Sequence, residues 1–275
     1  MVRFPCCKIN LGLHVLRKRE DGFHDIETVF FPVPLRDILE LVPSESFSFS
    51  QSGIPLEGST RENLCWKAYQ TITALQGIAT PLGMHLHKAI PVGAGLGGGS
   101  SDGACCLTML DELLDLHLQE EILQDCANSL GSDCAFFLQD KPCRATGRGN
   151  ILEPLDLNLA GYQFLVVCPS FPVSTAWAYS QIRPGKHPDP VGSLIGMPIE
   201  EWKTRLGNDF ETPVFRAFPQ LASIKATLYE HGACYASLSG SGSAIFGIFW
   251  GKPPFIGWEK GYQAFCLDPS AGLTD

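Results

Sequence analysis

Residues 91–104 read PVGAGLGGGSSDGA, with five glycines between 93 and 99 and two serines and an aspartate close behind. Glycine gives up more conformational freedom on folding than any other residue, so such a cluster needs a reason. The usual one is close approach of backbone to a ligand, often a phosphate. Two familiar phosphate loops do not fit. Gly93, Gly95 and Gly98 satisfy G-x-G-x-x-G, but that fingerprint follows a buried parallel strand of continuous apolar residues. Here MHLHKAI at 84–90 alternates apolar and polar residues, carries His85, His87 and Lys88, and runs into Pro91. A Walker loop would need Lys and then Ser or Thr after Gly98, and the chain supplies Gly99-Ser100. What remains is a glycine loop feeding a helix, DGACCLTMLDELLDL, whose N-terminus offers unpaired N–H groups and a partial positive charge. Ser100, Ser101 and Asp102 are expected to cap that helix.

Outward from the loop, NLCWKAYQTITALQ at 63–76 has apolar residues at helical spacing, with Asn63 as N-cap and Gly77 as stop. A second helix is expected over 119–130, ending near Gly131. Residues 8–16 and FHDIETVFFPV are strand-like and are joined by the polar RKREDG. The pattern breaks around Pro142, Gly147, Gly149 and Pro154, which suggests one domain over 1–150 and another over 151–275. The last residues of the chain are allowed to pack back on the first domain. The second half holds a buried strand, YQFLVVCP, a helix near 215–231, and another Gly/Ser loop, SLSGSGSA.

The 275 residues carry 20 basic and 29 acidic side chains, a net charge of -9, which disfavours general nucleic-acid binding. A small anionic ligand needs only local positive charge. No apolar run is long enough for a membrane span. The N-terminal MVRFPCCKIN lacks a signal-peptide core, so a cytoplasmic location is expected. Eleven cysteines, an odd number without any Cys-x-x-Cys, argue for reduced thiols rather than disulfides or zinc. His85 and His87 share a strand face but have no evident third ligand, so a metal site is not expected there.

The glycine stretch resembles the central motif of the GHMP kinases. Five further segments agree, in the family's order: CKINLGLHVLRKREDGFHDIET, NLCWKA, GSDCAFFL, NDFE and SLSGSGSAIFGIF. Gly98-Gly99 ahead of the Ser100-Ser101 pair is the form found in the branch whose acceptor carries a cytidine diphosphate group. The resemblance implies an α+β, two-domain fold, with a ribosomal-protein-S5-like N-terminal domain and a ferredoxin-like C-terminal one. It implies ATP and Mg²⁺ as cofactors, with phosphorylation of the 2-hydroxyl of a cytidine diphosphate-linked methylerythritol, in the non-mevalonate route to isoprenoid precursors. It also implies a monomer or weak homodimer.

Residue by residue, the resemblance places the ATP phosphates on Pro91, Gly93, Ala94, Gly95, Leu96, Gly97, Gly98, Gly99, Ser100 and Ser101, with Asn63 and Lys88 beside them. Asp133 in GSDCAFFL becomes the base for the acceptor hydroxyl, and Lys8 in CCKINL its partner. Asn10 lies on the same strand face as Lys8 and suits a hydrogen bond to the alcohol. Phe23 and His24 match positions that hold the cytosine, and Tyr179 matches an aromatic on its opposite face. Thr175, Gly240 and Ser241 are expected near the substrate. In homoserine and mevalonate kinases a serine of the central motif helps hold magnesium. Here glycine replaces it, which leaves the protein ligands of Mg²⁺ open, with Ser100 or Ser101 as candidates. Other readings stay open: a GHMP-type kinase for another alcohol, a non-catalytic nucleotide-binding protein on the same fold, and a nicotinamide oxidoreductase.

Overall fold

The computed structural model describes residues 1–56, 58–77 and 79–270. Among these, strands form three four-stranded sheets. The first has order β1-β4-β6-β5, from β1 (Val2–Arg3), β4 (Ile38–Pro43), β5 (Ser48–Gly53) and β6 (Leu82–Lys88). The second, order β2-β3-β7-β8, comprises β2 (Cys6–Lys18), β3 (His24–Arg36), β7 (Cys143–Thr146) and β8 (Ile151–Pro154). The third, order β10-β11-β9-β12, comprises β9 (Tyr162–Cys168), β10 (Tyr235–Leu238), β11 (Ile245–Trp250) and β12 (Gln263–Leu267). The β12 strand pairs with β9, and Leu267 joins a core that also contains Phe31 and Val33 of β3.

Helix α1 (Leu64–Gln76) begins as its sequence dictates. The Asn63 side chain accepts the N–H of Cys65, and Gly77 closes the helix in the left-handed conformation at φ 70°. It packs with α2 (Gly98–Leu113) and α3 (Glu120–Leu130) over the first sheet, burying Ala68, Ile72, Leu107 and Leu110. The alternation in β6 places Met84 and Leu86 in this core. His85 and His87 face outward, where they hydrogen-bond Ser50 and Ser52. All eleven cysteines are free thiols, most of them buried. No helix among the described residues is long and apolar enough to cross a membrane.

The second half is more helical than its sequence suggests. Three short helices, α4 (Thr175–Gln181), α5 (Val191–Ile195) and α6 (Ile199–Arg205), precede the anticipated one. The helix expected near 215–231 is in fact two, α7 (Glu211–Ala217) and α8 (Pro219–Glu230). Pro219 explains the break, since it disfavours a helical Phe218 and starts the next helix well. Phe218 accordingly has ψ 74°.

Candidate active site

The glycine loop leaves β6 and enters α2. The helix starts earlier than its polar residues suggest. Its N-cap is Gly97, in the left-handed conformation at φ 71°, so Ser100, Ser101 and Asp102 lie inside the first turns rather than at the cap. The reason is space. A Cβ on Gly97 would come 3.1 Å from the Lys8 side chain and 3.0 Å from Phe137. Glycine therefore lets the helix start against the second sheet. The loop is held by three bonds to other elements. The Lys8 N–H donates to Leu96 O (2.9 Å), Ser239 Oγ to Gly95 O (3.0 Å), and the Ala244 N–H to Ala94 O (3.0 Å). A cavity of about 420 Å³, of a size suited to a small ligand, is lined by Asn63, Lys88, Pro91 and all residues from 93 to 100. Ser101 does not reach it. It is buried and borders a separate cleft with Cys6 and Asp140.

Lys88 does not project freely into this cavity. Its buried ammonium is paired with Asp37 and, at 2.6 Å, with Asp102. The other oxygen of Asp37 accepts the N–H groups of Ala89 and Ile90. Asp37 and Asp102 thus tie the strand exit to the helix start, and bracket the glycine loop between them. Asp37 went unnoticed in the sequence because nothing local links the LRDILE segment to a lysine 51 residues away. Burial lifts the Asp102 carboxyl from its ordinary 3.8 to about 7; Lys88 opposes the rise and Asp37 adds to it. The folded protein then keeps a proton that the unfolded chain releases near pH 4. This contribution therefore destabilises the fold as pH rises from about 4 to about 7. Relative to wild type, Asp102→Asn is expected to gain melting temperature steadily across that interval. Melting curves that stay parallel would show that Asp102 titrates normally.

Opposite the loop, strand β2 carries Lys8 and Asn10, both buried. Lys8 Nζ donates to Asn10 Oδ1 (2.7 Å) and lies 3.3 Å from Asp133 Oδ2. Asn10 Nδ2 donates in turn to Thr28 Oγ1 (3.0 Å), which fixes the amide. Asp133 sits where α3 has ended at Gly131 and a 3-10 turn, Cys134–Leu138, begins. Its side chain keeps 32% exposure against 4% for Lys8, so the carboxylate, and not the ammonium, meets an incoming ligand. A small cavity of about 150 Å³ holds Lys8, Asn10, Asp133, Thr175, Gly240 and Ser241, and includes Gly95 and Gly97 of the glycine loop. Thr175 and Ser241 are hydrogen-bonded at 3.0 Å. Asn208 of the NDFE motif supports the second Gly/Ser loop by donating to Leu238 O and Gly240 O.

Asp133, Thr175 and Tyr179 also line a larger cavity of about 650 Å³, with Phe23, His24 and Arg148. Tyr179 stacks directly on His24, with ring centroids 4.9 Å apart and an interplanar angle of 21°. A base between those two rings would need about 7 Å, two van der Waals gaps of about 3.5 Å each. The pair therefore presents a joint platform, with the half-exposed Phe23 as a separate ring. Burial, helped by the nearby Asp133 charge, pushes the Tyr179 hydroxyl up to about 12, so it remains a donor at neutral pH. Burial and then Lys18 hold His24 below its ordinary value, which keeps the imidazole neutral.

Two sequence families match this chain: the GHMP kinases N terminal domain over residues 63–141 and the GHMP kinases C terminal over residues 197–254. A 4-diphosphocytidyl-2-C-methyl-D-erythritol kinase of Parabacteroides distasonis is 47% identical, covering 90% of this chain and 92% of its own. One of Bacteroides thetaiotaomicron is 46% identical over 97% of this chain and 98% of its own. A crystal structure of 4-(cytidine 5'-diphospho)-2C-methyl-D-erythritol kinase superposes with a TM-score of 0.79 at 32% identity, covering 98% of this chain and 99% of that one. Methanococcus jannaschii mevalonate kinase shares the fold at 12% identity, with a TM-score of 0.69 and 98% of each chain covered. With matches on both halves, near-full-length relatives and the glycine loop set against a Lys–Asp pair, the chain belongs to the GHMP kinase family, in the group of the 4-diphosphocytidyl-2-C-methyl-D-erythritol kinases.

Proposed function

We propose that this protein transfers the γ-phosphoryl group of ATP to the 2-hydroxyl of 4-diphosphocytidyl-2-C-methyl-D-erythritol, in the non-mevalonate route to isoprenoid precursors. One observation carries the mechanism. The cavity around Lys8 and Asp133 shares Gly95 and Gly97 with the nucleotide cavity, and Asp133, Thr175 and Tyr179 with the acceptor cavity. Donor and acceptor can therefore meet at this pair. The glycine loop and the α2 N-terminus hold the phosphates. Asn10 and Lys8 orient the hydroxyl, and Asp133 takes its proton as the oxygen attacks phosphorus. The ammonium of Lys8 stands 3.3 Å from the Asp133 carboxylate and holds it toward the hydroxyl. Closing the second Gly/Ser loop on Thr175 excludes water, which would otherwise compete as acceptor.

Magnesium supplies charge neutralisation on the phosphates. Among the described residues no group of three or more His, Cys, Asp or Glu side chains could hold a metal ion. The donors at hand, chiefly the Ser100 hydroxyl beside the loop, fit an ion held mainly by phosphate and water oxygens.

The direct test is ADP release from ATP and Mg²⁺ with this acceptor, beside mevalonate, homoserine and galactose. Turnover confined to the cytidine compound supports the reading, and turnover confined to another alcohol refutes its acceptor half. Tyr179→Ala is expected to raise the acceptor KM about tenfold or more, through loss of base stacking worth about 1–3 kcal/mol. The ATP KM should not move. An unchanged acceptor KM would place the base elsewhere.

A further inference from the structure

The acceptor proposed above carries two negatively charged phosphates between its base and its alcohol. Of the cations already described, Lys8 is engaged with Asn10 and Asp133 and Lys88 with Asp37 and Asp102, while Lys18 lines the acceptor cavity beside the aromatic platform but not the cavity of the catalytic pair. A group that holds the diphosphate must stand between the aromatic platform and the catalytic pair. Four residues line both cavities: Asp133, Arg148, Thr175 and Tyr179. Only Arg148 among them is positively charged.

Its placement is specific. Arg148 occupies the turn between β7 and β8, flanked by Gly147 at φ 65° and Gly149 at φ 98°. Its backbone N–H donates to Asn150 Oδ1 (3.1 Å), which fixes the turn. The turn packs against Asp133, since a Cβ on Gly149 would come 3.6 Å from Asp133 Oδ1. The guanidinium carbon lies 4.3 Å from the centroid of the Phe23 ring. That contact covers one face of Phe23, whose side chain stays half exposed.

Its chemistry is available. Arg144, on the same hairpin, is spent on Glu27 and Glu153, and Arg19 on Asp21 and Asp25. Among the described residues Arg148 forms no ion pair with a carboxylate. Its planar fork of N–H donors matches the oxygens of a diphosphate, and the stack on Phe23 restrains the side chain before the ligand arrives.

We propose that Arg148 binds the diphosphate of the acceptor and so makes the enzyme select a nucleotide-linked alcohol over a free one. The inference rests on the acceptor reading of the preceding section. A cation here also offsets the repulsion between the diphosphate and the neighbouring Asp133 carboxylate, which must stay charged to act.

The test measures affinities for cytidine and cytidine diphosphate by calorimetry, with the ATP cavity filled by a non-hydrolysable ATP analogue. Wild type is expected to bind the diphosphate at least tenfold more tightly than the nucleoside. Arg148→Met should erase most of that ratio and leave cytidine affinity and the ATP KM alone. Arg148→Lys should restore part of it. In turnover, Arg148→Met should raise the acceptor KM at least tenfold with little change in kcat. A ratio in Arg148→Met equal to that of wild type would overturn the proposal while leaving the kinase reading intact. A wild-type protein that binds neither probe and ignores the acceptor would overturn the acceptor reading itself, and this inference with it.

Discussion

Replacing Asp133 with Asn is expected to lower kcat by about 10²–10⁴ while nucleotide affinity stays close to wild type. The substitution is nearly isosteric. The amide oxygen can still accept from the Lys8 ammonium, which lies 3.3 Å from Asp133 Oδ2 and keeps its 2.7 Å bond to Asn10. Lys8 is therefore not left buried without a partner, and the melting temperature should change little. What the variant loses is a site for the hydroxyl proton, because an amide is not a base at neutral pH. Single-turnover phosphoryl transfer beside binding of an ATP analogue separates the two properties. The alternative is physically distinct. Phosphoryl transfer through a loose transition state needs mostly positioning and charge neutralisation. If kcat falls less than about tenfold, catalysis here rests on those alone and Asp133 merely orients Lys8.

Gly95→Ala is expected to abolish measurable nucleotide binding and to lower the melting temperature by several degrees. Gly95 sits at φ 78°, and a Cβ there would come 2.1 Å from the Ser239 carbonyl oxygen and 3.2 Å from that of Gly242. Backbone cannot yield as the end of a side chain can, so the loop itself must move. The left-handed conformation alone costs an L-residue about 1–2 kcal/mol. Displacement also breaks the bond from Ser239 Oγ and shifts the N–H groups proposed to hold the phosphates. Gly99→Ala is the control for stability. It lies within α2 with no atom near its would-be Cβ, and alanine is the better helix former by about 1 kcal/mol. Its melting temperature should hold or rise. A Gly95→Ala protein that melts and binds nucleotide like wild type would mean that the loop has slack this geometry denies it.

Much of this was legible in the sequence, wherever the information is local. Asn63 and Gly77 delimit α1 because capping is settled within one turn. The alternation of β6 sorts His85 from Met84 because a strand side chain has only two faces to choose from. The start of α2 was misread because capping preferences favour Ser100, Ser101 and Asp102, while contact with Phe137 and Lys8, far away in sequence, demanded glycine at position 97. Long-range pairings were the least visible. Lys8 and Asp133 are 125 residues apart, and only a family pattern joined them. Asp37 and Arg148 lie outside the motifs quoted from the sequence, and only the folded chain reveals what each one faces. Tyr179 and His24 were both singled out, yet their direct stacking could not be read from either segment.

The glycine loop is stitched to β2 by Leu96 and to the second half of the chain by Gly95 and Ala94. The proposed nucleotide site is therefore not a portable module. A fragment ending near residue 150 would contain every letter of the glycine motif and still lack the scaffold that gives those letters their shape. For the same reason, insertion or loss of one residue within residues 237–244 should be as damaging to ATP binding as a change in the motif itself. Lineages descended from this protein would have to inherit the two segments together or lose the site.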